Sequence, residues 1–259
     1  MFDEGNGPPV VIVQGVHGRW QWTRPALEEL AKTCRVISYS LAGDFGSGRR
    51  YDPALGFENF TRQLDDVLRE KRIERTAVCG ISFGGFVAVH YAAQHPERVQ
   101  ALLLASAPGP GWTPNPRQAG WIAQPWLSAP IFVASAPFRL WPEVQSATGG
   151  VLPTLCFMAR QGLRAACSPA IPALMARRIR DAQAVDFTSD CASITAPTLV
   201  LSGDEPLDRV VPVATTRRYA DVIRGARYEQ MKGTGHLGVL TQPSRFARLV
   251  SDFVHANSH

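Results

Sequence analysis

The sequence predicts an α/β fold with an open, mostly parallel sheet of about six strands, helices on both faces and a helical insertion. Short runs that are apolar along their whole length alternate with amphipathic segments, which is typical of a parallel sheet covered on both sides. The alternation stops between residues 108 and 190 and then resumes. A chain of 259 residues is long enough for one large domain, or for one domain that carries an insertion.

Six segments are predicted strands, because each is a short run rich in apolar residues that ends near glycine or at a turn. They are residues 8–15, 34–41, 76–81, 99–107, 196–203 and 226–233. Five other segments space their apolar residues at helical intervals or are bounded by proline, and we expect them to be helices. These are residues 22–33, 57–72, 83–96, 211–223 and 242–256.

The insertion at residues 108–190 has a composition of its own. It holds eleven of the twenty prolines and four of the six tryptophans. We expect residues 1–107 and 191–259 to form the core domain, and the insertion to be a helical cap. A segment inserted at this point would lie over the carboxyl ends of the strands, where ligands bind in open α/β sheets.

Ser82 lies in "CGISFGGF", between a predicted strand and a predicted helix, with glycine two residues before it and two residues after it. A serine in this G-x-S-x-G context forms a nucleophile elbow, a sharp turn that needs small neighbours and exposes the hydroxyl. The amino end of the following helix favours a developing negative charge. The alternative is a glycine-rich turn with an incidental serine.

A serine nucleophile needs a base and an acid that orients the base. His236 is the best candidate for the base, because it follows the last predicted strand in "MKGTGHLGVL". For the acid we prefer Asp208, which opens "DRVVP", and we keep Asp204 as the fallback. The backbone N–H groups of Val16 and Phe83 are the candidate oxyanion donors. Val16 lies on the loop after the first predicted strand, and Phe83 directly follows the nucleophile.

With these residues assembled, the chain resembles α/β-hydrolase-fold enzymes of the capped, esterase-like and epoxide-hydrolase-like group. The resemblance covers nearly the whole chain and depends on "GISFGG", "DRVVP" and "GTGH" in this order. Serine at the elbow, where epoxide hydrolases and haloalkane dehalogenases have aspartate, implies acyl transfer to water. The resemblance therefore implies a serine hydrolase that needs no cofactor and no metal.

Three features depart from the family pattern. Gln14 stands before Gly15 where relatives usually have histidine, which could change the support of the oxyanion loop. Ser40 stands where relatives usually have an acid, and Asp44 follows in an enlarged loop. Few residues precede the first predicted strand, so the usual antiparallel N-terminal hairpin is expected to be missing or reduced.

The cap is rich in aromatic residues and arginine. Aromatic side chains often line apolar pockets, although many of them simply pack a cap onto its core. Seven arginines and one acid, Glu143, lie between residues 108 and 180. We expect these arginines to be solvated at the surface. The alternatives are that they attract an anionic substrate or that they contact an anionic membrane. The candidate pocket residues are Trp112, Trp121, Trp126, Phe132, Phe138, Trp141, Phe157 and Met158.

Several partners and locations are not indicated by the sequence. The net charge of +5 is concentrated in the cap and comes with no nucleic-acid-binding motif. The five cysteines have neither disulfide-framework nor metal-ligand spacing, and the N-terminus does not read as a signal peptide. We therefore expect a cytoplasmic protein that acts on a small apolar substrate.

Four functions remain open. Hydrolysis of a carboxylic ester is the main hypothesis, and carbon–carbon bond hydrolysis of a diketone or lactone hydrolysis are alternatives that use the same triad. A different class is a non-catalytic protein that binds a small ligand on a hydrolase scaffold, because a fold does not determine a function.

Overall fold

The computed structural model describes residues 1–258, and within this range seven strands form one sheet. Their bounds are β1 Phe2–Glu4, β2 Pro9–Val13, β3 Arg35–Ser38, β4 Thr76–Ile81, β5 Val99–Ala105, β6 Thr198–Ser202 and β7 Arg227–Gln230. Their spatial order is β1-β3-β2-β4-β5-β6-β7. All neighbouring strands run parallel except β1, which is antiparallel to β3. The expected open, mostly parallel sheet is confirmed.

Strand β1 is the one that the sequence pattern did not predict, so the sheet has seven strands rather than about six. It pairs with β3 from Phe2 opposite Ser38 to Glu4 opposite Val36. With three residues, two of them acidic, it is too short and too polar to show a strand pattern. It is held by Phe2, which is buried, and by ion pairs from Asp3 to Arg35 and to Lys71. Within residues 1–258, β1 is thus the one antiparallel strand, at the edge of the sheet.

Helices cover the sheet on both faces, as expected. Their bounds are α1 Arg24–Leu30, α2 Glu58–Glu70, α3 Phe83–Gln94, α4 Pro116–Ala123, α5 Pro125–Thr148, α6 Val151–Cys167, α7 Pro172–Ala182, α8 Phe187–Ser193, α9 Val213–Val222, α10 Gly238–Thr241 and α11 Pro243–Ala256. A short 3-10 turn over Trp20–Thr23 leads into α1. None of the helices described in residues 1–258 has both the length and the apolar character needed to cross a bilayer.

Two apolar clusters, one on each face of the sheet, make up the core. Alternate residues of the strands belong to opposite clusters: Val11 belongs to the cluster that contains residues of α2, α3, α8 and α9, whereas Val10 belongs to the cluster that contains residues of α1 and α11. This alternation explains why the inner strands β2, β4, β5 and β6 are largely apolar along their whole length, since neither of their faces is open to water.

Helices α4 to α8 lie in the chain between β5 and β6, in the segment expected to be a cap. The expected boundary at residue 190 falls inside α8. That helix packs on the core, because the ring of its Phe187 stacks on Phe86 of α3 with centroids 4.3 Å apart. The packing therefore favours a cap that ends before Phe187.

Helix α3 approaches β2 so closely that one glycine is required. A Cβ atom on Gly84 would overlap with the carbonyl oxygen of Val13 in the middle of the sheet. The added Cβ would be attached to the backbone of α3, and the carbonyl of Val13 belongs to the backbone of β2. The overlap could therefore be relieved only by shifting the helix or the strand.

We expect Gly84→Ala to lower the free energy of unfolding by about 1–3 kcal/mol, because overpacking forces a backbone shift. Gly120→Ala is the matched control, since nothing lies within 4 Å of the position on α4 where its Cβ would be. That control should be neutral or slightly stabilising, because alanine favours helix more than glycine does. Thermal or urea unfolding of the two variants measures the difference, and equal stabilities would contradict the close approach.

Candidate active site

Ser82 sits in a strained turn between β4 and α3. Its φ of 52° and ψ of −121° define a backbone conformation that a non-glycine residue rarely adopts. Such a conformation destabilises the folded state by about 1–3 kcal/mol. The turn is tight, because a Cβ on Gly80 would overlap with the Gly84 carbonyl and one on Gly85 would overlap with the side chain of Ala107. The glycines around Ser82 thus provide the space that its backbone conformation requires.

Three side chains from three loops form one hydrogen-bonded chain. The Oγ of Ser82 lies 3.0 Å from Nε2 of His236, and Nδ1 of His236 lies 3.3 Å from Oδ2 of Asp208. The other carboxylate oxygen of Asp208 accepts the backbone N–H groups of Val210 and Val211, at 3.0 and 2.9 Å. These bonds fix the orientation of the Asp208 carboxylate toward the imidazole. Each loop follows a parallel strand, so the three meet at one edge of the sheet.

The fallback acid, Asp204, has a different place. Its Oδ2 accepts the backbone N–H of Gly233 at 2.6 Å, and its own N–H donates to the carbonyl of Thr234, also at 2.6 Å. Asp204 therefore joins the loop after β6 to the loop that carries His236. The structure places Asp208, and not Asp204, against the imidazole.

The electrostatic surroundings of His236 favour its protonated form. Burial on its own lowers the pKa of an imidazole, but the Asp208 carboxylate beside Nδ1 and the more distant Glu143 carboxylate outweigh it. The net result is a His236 pKa above its ordinary value. A base with a raised pKa takes up the serine proton more readily, as long as the pH leaves it unprotonated beforehand.

Glu143 is a buried acid beside this site that sequence reasoning did not select. It lies on α5, its residue is 2% exposed, and its Oε1 accepts the backbone N–H groups of Gly235 and Leu237 at 2.7 and 2.6 Å. Burial raises the pKa of Glu143 to about 7, with a smaller contribution from the Asp208 charge. The sequence does hold one indication of this role, because Glu143 is the single acid between residues 108 and 180.

The loop after β2 carries Val16, the candidate oxyanion donor, and it is held by two polar groups. The amide of Gln14 donates to Ser38 Oγ at 2.7 Å and accepts from Thr23 Oγ1 at 3.0 Å. Glutamine therefore satisfies both ends of its amide in place of the usual histidine. From the other side, the carbonyl of Val16 accepts from the guanidinium of Arg178 at 2.8 Å.

Arg178 reaches this loop from α7 and is not a surface arginine as expected. It is 1% exposed and forms a buried ion pair with Asp44 from the loop after β3. Arg178 can be buried because Asp44, in the enlarged loop, supplies the opposite charge that a buried guanidinium needs. The second candidate donor, Phe83, is the first residue of α3, so its N–H has no carbonyl partner within the helix.

His17, which no sequence motif singles out, also faces this region. A Cβ built on Gly15 would lie 3.4 Å from Ser82 Cβ and 3.5 Å from His17 Nε2, so the imidazole edge and the serine flank the same gap. The His17 ring stacks on Trp22 with centroids 4.4 Å apart. Burial, with the nearby Arg178 charge, lowers the pKa of His17 to about 3, so the ring is neutral at ordinary pH.

The structure separates the eight candidate pocket residues of the cap into groups. Trp126 and Phe138 are 65% and 80% exposed, so they do not line an enclosed pocket. The prediction missed this because aromatic character alone does not show which face of a helix is buried. Trp112 packs on the core near Phe86, and Trp141 donates to Gln145 on its own helix. The remaining four are half-buried in the cap: Trp121, Phe132, Phe157 and Met158.

Within residues 1–258, no group of three or more His, Cys, Asp or Glu side chains is arranged to hold a metal ion. The side chain that contacts Ser82 Oγ is an imidazole, and a carboxylate contacts the other nitrogen of that ring. This set can remove a proton from a hydroxyl and return it, which is what nucleophilic catalysis through serine requires.

Curated proteins that resemble the chain over its whole length are named as hydrolases. A 2-hydroxy-6-oxo-2,4-heptadienoate hydrolase of Pseudomonas putida is 28% identical, over 99% of this chain and 92% of that protein. A 2-hydroxymuconate semialdehyde hydrolase of Pseudomonas sp. (strain CF600) is also 28% identical, over 98% of this chain and 89% of that protein.

A solved structure agrees with the fold, and a family profile agrees with the sequence. The enol-lactonase from Burkholderia xenovorans LB400 superposes with a TM-score of 0.71 at 22% identity, over 98% of this chain and 95% of its own. The profile of the alpha/beta hydrolase fold matches residues 8–243. The chain therefore belongs to the alpha/beta hydrolase fold family and is a hydrolase.

Proposed function

We propose that this protein is a serine hydrolase that cleaves a carboxylic ester of a small apolar molecule through an acyl-enzyme intermediate. The observation that carries the proposal is the chain of contacts from Ser82 Oγ to His236 Nε2 and from His236 Nδ1 to Asp208. A serine hydroxyl becomes a useful nucleophile when a base is within hydrogen-bond reach and a third group orients that base.

In the proposed reaction, Ser82 attacks the acyl carbon while His236 takes the hydroxyl proton. Asp208 keeps the proton of the neutral ring on Nδ1 and stabilises the imidazolium that forms. The N–H groups of Val16 and Phe83 hold the oxyanion. His236 then gives its proton to the leaving alkoxide. Water attacks the acyl-enzyme with the same base, and the acid and Ser82 are released.

A second candidate is hydrolysis of a carbon–carbon bond. The relative named for 2-hydroxy-6-oxo-2,4-heptadienoate supports it, because that compound has a ketone but no ester, so its hydrolysis breaks a carbon–carbon bond. Lactone hydrolysis is a third use of the same groups, and the enol-lactonase shares the fold. All three reactions begin with an attack on a carbonyl carbon, so the difference lies in the leaving group that must be protonated.

A non-catalytic ligand-binding protein remains the alternative of a different class. Such a protein needs no polarised serine, whereas here Ser82 lies at hydrogen-bond distance from a base. A fluorophosphonate probe separates the classes, because it labels an activated serine. Tight binding of a small apolar ligand without any labelling would favour the binding protein.

We expect Ser82→Ala to lower the kcat for p-nitrophenyl acetate and butyrate by about 10⁴-fold or more, because the nucleophile is removed. Ser146→Ala is the matched control, since Ser146 is an exposed serine on α5. It should keep the activity of the unchanged protein. Ester hydrolysis that persists in Ser82→Ala would rule out the mechanism.

The two aspartates of the loop after β6 should differ in their effects. Asp208→Asn should lower kcat by about 10⁴-fold, because an amide favours the wrong tautomer of the imidazole. Asp204→Asn should cost far less activity and should instead lower the unfolding temperature, since Asp204 joins two loops. Steady-state kinetics and thermal unfolding of both variants test this, and a larger loss of kcat in Asp204→Asn would reverse the assignment.

The substrate class can be decided with three kinds of compound. We expect the highest kcat/KM on an ester among an ester series varied in acyl length, one lactone and one vinylogous diketone, each assayed with the unchanged protein and with Ser82→Ala. A kcat/KM for the diketone that exceeds those of the esters and depends on Ser82 would select the carbon–carbon hydrolase instead.

A further inference from the structure

We propose that Glu143, carried by cap helix α5, is a positioning residue for His236. The inference rests on the proposed function, in which His236 is the base. It goes beyond that function because the residue belongs to the cap and not to the three loops that supply the serine, the acid and the base.

The geometry of the contact is the first support. Oε1 of Glu143 accepts the N–H of Gly235 at 2.7 Å and the N–H of Leu237 at 2.6 Å. These are the residues on either side of His236, so one oxygen atom holds both peptide groups that flank the base. Asp208 orients the ring of His236, whereas Glu143 fixes the backbone from which the ring extends.

The burial of Glu143 is the second support. A carboxylate that is 2% exposed loses its hydration, and it is stable only when donors replace the water. Here the donors are two backbone N–H groups that themselves need an acceptor, because Gly235 is packed against the loop of Leu207. The contact thus satisfies buried groups on both sides, and neither side can be removed without leaving the other unpaired.

The charge of Glu143 is the third support. The titratable groups that face it are His236 and Asp208, both on loops of the core. The negative charge of Glu143 stabilises the imidazolium of His236, whereas the charge of Asp208 repels the Glu143 carboxylate. Glu143 therefore has two effects on the base: it holds the backbone and it raises the pKa of the ring.

Because α5 belongs to the inserted segment, the position of the base depends on the docking of the cap. When α5 is in place, Gly235 and Leu237 have their acceptor and His236 is aligned with Ser82. When α5 moves away, two buried N–H groups lose their partner, and the loop is free to relax. The cap would therefore complete the active site as well as cover it.

Two variants separate the effects of geometry and charge. Glu143→Gln keeps an oxygen that can accept both N–H groups but removes the charge, whereas Glu143→Ala removes both. Ser146→Ala, one turn further along α5 and exposed, is the control. The readouts are kcat and KM for p-nitrophenyl butyrate, the pH profile of kcat/KM, and hydrogen–deuterium exchange of the segment that contains residues 235–237.

For Glu143→Ala we expect kcat to fall by about 10–100-fold with little change in KM, because a misplaced base slows the chemical step. Exchange across residues 235–237 should be faster than in the control. For Glu143→Gln we expect most of the kcat at the optimal pH, together with slow exchange.

The pH profile adds a readout that a purely structural anchor would not change. The reaction needs unprotonated His236, so kcat/KM falls as the pH decreases through the pKa of that ring, which lies above its ordinary value in the unchanged protein. The Glu143 carboxylate titrates near pH 7 and favours the imidazolium where it is ionised, so the acid limb of Glu143→Gln should move to lower pH.

The proposal is overturned if folded Glu143→Ala keeps the kcat and the exchange rate of Ser146→Ala, or if the acid limb of Glu143→Gln coincides with that of the control. If Glu143→Ala does not fold, the pH profile of Glu143→Gln still tests the proposal.

Activity that persists in Ser82→Ala would instead contradict the proposed function. The hydrogen–deuterium exchange experiment would then still test the contact between Glu143 and the residues beside His236.

Discussion

The turn at Ser82 imposes the constraint on which the rest of the site depends. A serine with a positive φ is unstable in isolation, so the surrounding packing must stabilise that conformation. Helix α3 does so by lying directly against β2 and β5, which is why Gly80, Gly84 and Gly85 leave no room for a Cβ. Because the sheet fixes the position of the Ser82 hydroxyl, the loops that carry Asp208 and His236 need only follow neighbouring strands to meet it.

The parts of this arrangement that depend on local pattern were predictable from the sequence. Apolar runs revealed six strands, and the carboxyl ends of parallel strands bring Ser82, Asp208 and His236 to one edge. The parts that depend on tertiary contacts were not predictable. Strand β1 exists because β3 offers an open edge, and the exposure of Trp126 and Phe138 depends on which side of α5 faces its neighbours. Aromatic content predicts burial only when the orientation of the helix is known.

The inserted helices contact both halves of the site through polar groups. Arg178 of α7 donates to the carbonyl of Val16 on the loop after β2, and Glu143 of α5 accepts from the peptides beside His236. The Nε1 of Trp22 adds a further link, since it donates to the carbonyl of Ser168 at 2.9 Å. Each of these bonds joins buried or half-buried groups, so docking of the inserted helices is specific in direction, unlike contacts made only by apolar side chains.

Gln14 gives the loop after β2 a property that a histidine at the same place would not have. Its amide is bonded at both ends, to Ser38 and to Thr23, and none of these three side chains gains or loses a proton in the range where proteins are stable. An imidazole would change its charge near neutrality and would exchange an acceptor for a donor. The hydrogen bonds of Gln14 behind Val16 therefore do not change with pH, and the loss of function at low pH falls on the groups that titrate, His236 among them.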